Sequence, residues 1–167
     1  MSPLRPDLVA VWIYRVPDPT VPDAIELLLL HRATGRPLSG LWQCVTGAIE
    51  PGERVTLAAL RELEEETGIA GDAIEAFYDM DQVSQFHWPD ADGVLSEVVF
   101  AARVRPGTEP VLSHEHDASR WADPADAIRS SVWPSYREAI ERVATILPDP
   151  ARAAWFETGL DGNRIKA

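Results

Sequence analysis

The stretch Gly47-Ala48-Ile49-Glu50-Pro51-Gly52-Glu53-Arg54-Val55-Thr56-Leu57-Ala58-Ala59-Leu60-Arg61-Glu62-Leu63-Glu64-Glu65-Glu66-Thr67-Gly68-Ile69 decides how the chain reads. From about Arg54 to Thr67 it predicts a helix. Leu57, Leu60 and Leu63 recur at helical spacing, and Gly68 suits the residue just past a helix end. Positions three and four apart share a helix face, so Glu62, Glu65 and Glu66 project together while Glu64 falls on the other side. Thr56, Ala59, Leu60 and Leu63 form an adjoining, less polar face able to dock on a sheet. Like charges at this spacing repel by a few tenths of a kcal/mol per pair, roughly, on an exposed helix. A hard cation among them reverses that sign, and Mg²⁺ takes oxygen ligands while keeping waters and phosphates in its shell. From spacing and charge alone, a solvated acidic helix face explains the pattern as well.

Outward from the helix, strands are expected on both sides. Leu8–Val16 is rich in Val, Ile and aromatic residues. Pro17, Asp18, Pro19 and Pro22 make a turn. Ile25–Arg32 has little alternation across its leucines, which suggests burial on both faces. A short strand is expected near Trp42–Val45. After the helix, strands are expected at Ala73–Tyr78, Gln82–Trp88, Leu95–Val104 and Arg120–Ala122, with helices at Pro124–Ser130 and Pro134–Leu147. A short helical piece is expected around Ala151–Phe156. Strands flanking a central helix, followed by C-terminal helices, predict an α/β sandwich with a mixed sheet.

The bulk composition excludes several classes. The 167 residues suit a single domain, here taken as residues 1–150 with a C-terminal tail at 151–167. Fifteen basic against 27 acidic residues give a net charge of −12, and Lys166 is the single lysine. Such a surface repels polymeric nucleic acid, whereas a small anion bound through a divalent cation is compatible with it. Cys44 is the only cysteine, so an internal disulfide is excluded. The N-terminal residues show no signal-peptide pattern, and the longest aliphatic run, at Ile25–Leu30, is too short to span a bilayer. No membrane partner and a cytoplasmic location are therefore expected.

The spacing Gly47, five residues, Glu53, seven residues, then Arg61-Glu62-Leu63-x-Glu65-Glu66-x-Gly68-Ile69 fits the box G-x5-E-x7-R-E-U-x-E-E-x-G-U in full, with U a bulky aliphatic. On this box the chain is identified as resembling the Nudix hydrolases. The resemblance implies the Nudix-type α/β/α sandwich and hydrolysis of a phosphoanhydride in a nucleoside-diphosphate-linked small molecule. It implies Mg²⁺, with Mn²⁺ as a substitute, held by Glu62, Glu65 and Glu66 and supported by Glu53 and the Thr46 carbonyl. Glu62 takes the general-base position and Arg61 orients it. Leu41 to Glu53 resembles the bacterial family members that release pyrophosphate from dihydroneopterin triphosphate and act on some nucleotides, dATP among them. Glu97-Val98-Val99-Phe100, Glu115-His116 with Trp121, and Trp133 to Ala139 fit them too. Dinucleoside polyphosphates, nucleotide sugars and a non-catalytic nucleotide-binding module stand as alternatives. A homodimer is a further expectation, since such proteins often pair.

Outside the box, Glu115 is a candidate extra carboxylate for catalysis. Glu97, mid-strand among apolar residues, is costly to bury unless paired or bound to a ligand. With Arg32, Trp42 and His116 it completes the candidate substrate contacts. Trp42 and Phe86 are candidates to stack on a ring. Cys44 reads as a small buried hydrophobe, and Trp12, Trp121, Trp133 and Trp155 read as packing.

Overall fold

The computed structural model describes residues 4–165. Lys166 and the first three residues, which entered the reading of charge and leader, lie outside them. At the centre is β1 (Leu8–Arg15), whose Val9, Val11 and Ile13 face one side and Ala10, Trp12 and Tyr14 the other. Both sides are buried, as a strand of alternating large apolar residues requires when layers cover both faces. β1 pairs in parallel with β6 (Gly93–Val104) and antiparallel with β4 (Val45–Ala48) and β2 (Glu26–Arg32). β2 carries β3 (Trp42–Gln43) and β7 (His116–Ala122); β6 carries β5 (Ile74–Trp88), and β5 carries β8 (Glu157–Thr158). The mixed eight-stranded sheet runs in the order β3-β2-β1-β6-β5-β8, with β4 and β7 off that path.

α1 (Val55–Thr67) packs on the face of Val9, Val11 and Ile13 through Ala58, Ala59 and Leu63. α2 (Pro124–Ser130) and α3 (Pro134–Ile146) cover the opposite face through Ala127, Ala139, Ile140 and Val143. The expected α/β/α sandwich with a mixed sheet is the observed architecture. α1 ends at Gly68, in the left-handed region at φ 68, and the Gly68 N–H donates to the Glu64 carbonyl at 2.8 Å. α4 (Pro150–Ala153) is a single turn leading into β8.

Several expectations need correcting. Leu57 is 38% exposed and Ala58 takes its place against the sheet, because the buried stripe of α1 runs through 58, 59, 63, 66 and 67. The two strands expected at 73–78 and 82–88 are one strand, bent by an irregularity between Asp79 and Val83 with Asp81 at φ 50. A bulge breaks the alternation that sequence periodicity relies on. β7 begins at His116, four residues earlier than expected. Trp12 is fully buried, but Trp133 and Trp155 are 41% and 61% exposed rather than core. Among the described residues, no helix is long and apolar enough to cross a membrane.

Candidate active site

Where α1 meets β4, Arg61 organises the acidic face. Its Nε and Nη2 donate to the two oxygens of Glu53 at 2.9 and 3.0 Å. Nη1 donates to Glu62 at 2.7 Å and to Glu65 at 3.1 Å, and Nη2 also reaches the Ala48 carbonyl at 3.0 Å. A planar guanidinium with fixed donors suits this task, and a lysine would not reproduce it. The Glu50 N–H donates to the second Glu53 oxygen at 3.0 Å, so Glu53 is held from both sides, and the hydrogen bonds from Arg61 keep its carboxyl below the usual range. Arg61 itself is pushed further up by Glu53 and Glu62.

Gly47 explains why the box opens on glycine. A Cβ at 47 would overlap the Glu62 carboxyl carbon and both its oxygens. The close approach of β4 to α1 therefore places the Glu62 carboxylate directly on the strand backbone. Burial raises the Glu62 carboxyl, against the pull of Arg61.

Glu66 lies one turn further on and deeper. It is 3% exposed, and its Oε2 is buried with no hydrogen-bond partner. Burial foremost, then Glu115 and Glu62, push its carboxyl up to about 9, while Arg32 and a backbone hydrogen bond from Thr46 pull the other way. The His116 ring stands 3.8 Å from Oε2, too far to bond it. Burial, helped by Arg32, pushes His116 down to about 4, so the imidazole is neutral near neutral pH. Its Nε2 meets the Gln43 amide at 3.4 Å. Glu115, on the loop before β7, accepts from Arg32 Nη1 at 2.6 Å, and its field reaches both Glu62 and Glu66.

The structure thus brings Glu53, Arg61, Glu62, Glu65, Glu66, Thr46, Arg32, Glu115 and His116 to one region. Glu97 lies apart from them on β6. It shares the face of Val99 and Ala101, on the α3 side of the sheet. Trp42 is flanked by the His31 ring at 4.9 Å and the Arg120 guanidinium at 5.0 Å. Sequence reasoning missed Gln43, Gln82 and Tyr136. Tyr136 had a signal, since it continues the helical stripe of Ala139, Ile140 and Val143.

The donor set fits a hard divalent cation: carboxylate and carbonyl oxygens, with a buried orphan oxygen on Glu66. Among the described residues, no three acidic, His or Cys side chains converge on one point as they stand. Arg61 accounts for that, because it engages Glu53, Glu62 and Glu65 itself.

Fold and site together define a class: a mixed-sheet α/β/α sandwich whose buried helix face presents an arginine-braced set of glutamates. The chain belongs to the Nudix family, and the NUDIX domain matches residues 6–143. It is 32% identical over 148 residues to the dihydroneopterin triphosphate diphosphatase of Escherichia coli, covering 83% of this chain and 91% of that protein. It is 34% identical over 142 residues to a Myxococcus xanthus octanoyltransferase; the match covers 84% of this chain and only 36% of that relative's length. The solved structure of the E. coli dihydroneopterin triphosphate pyrophosphohydrolase superposes with a TM-score of 0.68 at 28% identity, over 84% of this chain and 95% of that one.

Proposed function

We propose that the chain is a divalent-cation-dependent pyrophosphohydrolase. Its substrate would be a small nucleoside-triphosphate-like molecule, dihydroneopterin triphosphate or (d)NTPs such as dATP. The observation that carries this reading is the partnerless, buried Glu66 oxygen beside the Arg61-braced Glu53, Glu62 and Glu65. An oxygen without a partner in a buried acidic site is costly unless a cation binds there. The 32% identity to a diphosphatase of that pterin triphosphate, over nearly its whole length, supports the substrate class.

Glu66, Glu65, Glu62 and the Thr46 carbonyl would hold Mg²⁺, with Mn²⁺ as a substitute. When bound, the ion supplies neutralisation of phosphate charge and a lowered pKa for a coordinated water. Arg61 holds the Glu62 carboxylate in one orientation, which prepares it to accept a proton from the attacking water. Glu53 fixes Arg61 in turn. Arg32, already paired with Glu115, can turn to a phosphate and release that carboxylate toward the water. Neutral His116 accepts or donates one hydrogen bond without adding charge.

The test is product analysis with Mg²⁺ and a panel of dihydroneopterin triphosphate, common (d)NTPs, diadenosine tetraphosphate and ADP-ribose. Pyrophosphate release from the pterin or a (d)NTP, abolished by Glu66→Gln, is the expected result. Turnover of the dinucleotide or ADP-ribose alone would discard the substrate assignment. Tight nucleotide binding without turnover of anything would discard the enzyme.

A further inference from the structure

Arg54 breaks the local rule for its place. It stands at the start of α1 with φ −74 and ψ 137, and no side chain caps the helix there. That position favours Ser, Thr, Asp or Asn, whose oxygen accepts from an unpaired helix N–H, and the helix dipole disfavours a cation at this end. A guanidinium carries donors only, so it cannot cap. A residue unfavourable for its own element is retained where it serves another contact.

That contact is with residues 107 to 109 positions further along the chain. Arg54 Nη1 donates to the Asp161 carbonyl at 3.0 Å, and Nη2 donates to the Gly162 carbonyl at 2.8 Å and to Asn163 Oδ1 at 3.2 Å. All three acceptors are neutral oxygens. The contact therefore depends on where the donors point, which a planar fork fixes and a flexible ammonium does not. The turn that presents these oxygens is complete in itself. The Gly159 N–H donates to the Asn163 carbonyl at 2.7 Å, and the Gly162 N–H to the Gly159 carbonyl at 2.8 Å. The Asn163 N–H and Nδ2 donate to the two Asp161 carboxylate oxygens at 3.0 and 2.8 Å. β8 ties the turn to β5 through Phe77 and Tyr78. Gly162, at φ 81, leaves the guanidinium its room: a Cβ there would stand 3.3 Å from Arg54 Cζ and 3.4 Å from Thr56 Cβ.

The neighbour of Arg54 in the chain is Glu53, whose carboxylate meets Arg61. The Glu53 carbonyl accepts from Arg5 Nη2 at 2.5 Å. The Arg54 carbonyl accepts from the Ala58 N–H at 2.9 Å, which begins the ladder of α1. The entry to α1 is thus pinned by Arg5 on one side and by the turn at 159–163 on the other. That turn lies beyond α3 and outside the domain matched over 6–143. Exposed contacts of this kind add little to global stability, but they set where the chain enters the helix.

We propose that Arg54 is a positioning residue: its grip on the turn at 159–163 fixes the entry to α1, and through it the Glu53–Arg61 brace of the carboxylate site. Its consequence for a cation rests on the proposed function; the grip on the brace does not.

The test uses the full chain and two variants that cut the link from opposite sides, Arg54→Ala on α1 and Gly162→Ala in the turn. Proton NMR in EDTA follows hydrogen exchange of the Ala58 N–H and of the Arg61 Nε–H that meets Glu53. Both protons are expected to exchange about fivefold faster in each variant. The Tm of Arg54→Ala in EDTA should fall by no more than about 4 °C. Titration with Mn²⁺ without substrate, followed by electron paramagnetic resonance, then gives the cation Kd. Each variant should bind Mn²⁺ about tenfold more weakly than wild type, as loss of an outer support does to a metal site. A merely structural role would leave that Kd unmoved, since the chain stays folded. The double variant should be no weaker than the weaker single one, because both changes cut one link. Unchanged exchange at both protons would overturn the proposal whatever the cation does. So would an equal Mn²⁺ Kd in all the proteins, or losses that multiply in the double variant. A wild type that binds no Mn²⁺, with both protons still faster in the variants, sinks the cation-dependent reading and leaves Arg54 positioning the brace. Should Gly162→Ala fail to fold, Arg54→Ala alone decides on both readouts.

Discussion

Gly47 and Glu62 occupy adjoining space: a side chain at 47 would fall on the Glu62 carboxyl group. The contact is between a strand backbone and a helix side chain, so it fixes the height of the carboxylate above the sheet. Gly47→Ala must therefore move Glu62 or push β4 away from α1. Overpacking of this kind costs about 1–3 kcal/mol. The Ala variant is expected to fold, with a Tm lower by several degrees, and to lose about 100-fold or more in kcat because the proposed proton acceptor is displaced. Steady-state kinetics beside thermal unfolding checks this. A variant of unchanged kcat would show that Glu62 need not sit where Gly47 puts it.

Arg61→Lys is expected to separate charge from geometry. Lysine keeps the positive charge but cannot meet both oxygens of Glu53 and still reach Glu62 and Ala48. The network is partly exposed, so the stability loss should stay near 1 kcal/mol. kcat should fall about 100-fold with KM little changed, since on the proposed reading the lost effect is orientation of Glu62, which acts in the transition state. Equal loss in kcat/KM carried by KM alone would assign Arg61 to substrate binding instead.

Glu66 sets stability against function. Without a cation its carboxyl is raised to about 9, so folding at neutral pH holds a proton there that the unfolded chain has released. The amide of Glu66→Gln removes that cost. The variant is expected to be more stable than wild type in EDTA at pH 8, by a few kcal/mol in order of magnitude. Mg²⁺ should reverse the ranking, because a ligand that binds only the native state stabilises it by about 2.7 kcal/mol at a hundred times its Kd. Melting curves of both proteins with EDTA and with excess Mg²⁺ give the four values needed. A wild-type Tm indifferent to Mg²⁺ would remove the ion from this site.

Much of the site was legible because it lies on one helix. The periodicity that put Glu62, Glu65 and Glu66 together is local, and the spacing from Gly47 to Gly68 constrains both ends of that helix. Glu97 was legible for a different reason, since a lone acid within an apolar strand has few comfortable places. What the sequence concealed is long-range. The neighbours of Glu97 come from β5, from the start of α3 and from the end of β3, and no periodicity links them. The join of two expected strands into β5 depends on a bulge at Asp79–Val83, whose left-handed Asp81 carries no glycine to announce it. The exposure of Trp133 and Trp155 likewise follows from where α3 and α4 begin, not from their hydrophobicity.

The pH dependence of stability offers the last prediction, again from Glu97. Its carboxyl titrates near 7 in the folded protein and near 4.5 when free. Below 4.5 the group is protonated in both states and costs nothing. Between 4.5 and 7 the folded state holds a proton that the unfolded state has released, so stability falls as pH rises. Above 7 both states are ionised and the loss is complete, at about 3 kcal/mol. His116 acts in the opposite sense: lowered to about 4 from 6.5, it withdraws stability as pH falls through that window. Glu66, raised to about 9, adds a slope of the same sign as Glu97, so the measurement must be a difference between proteins. Urea unfolding of wild type and Glu97→Gln should give equal stabilities at pH 4 and a more stable variant at pH 8. A variant less stable at pH 8 would mean that the Glu97 carboxylate is paired in solution.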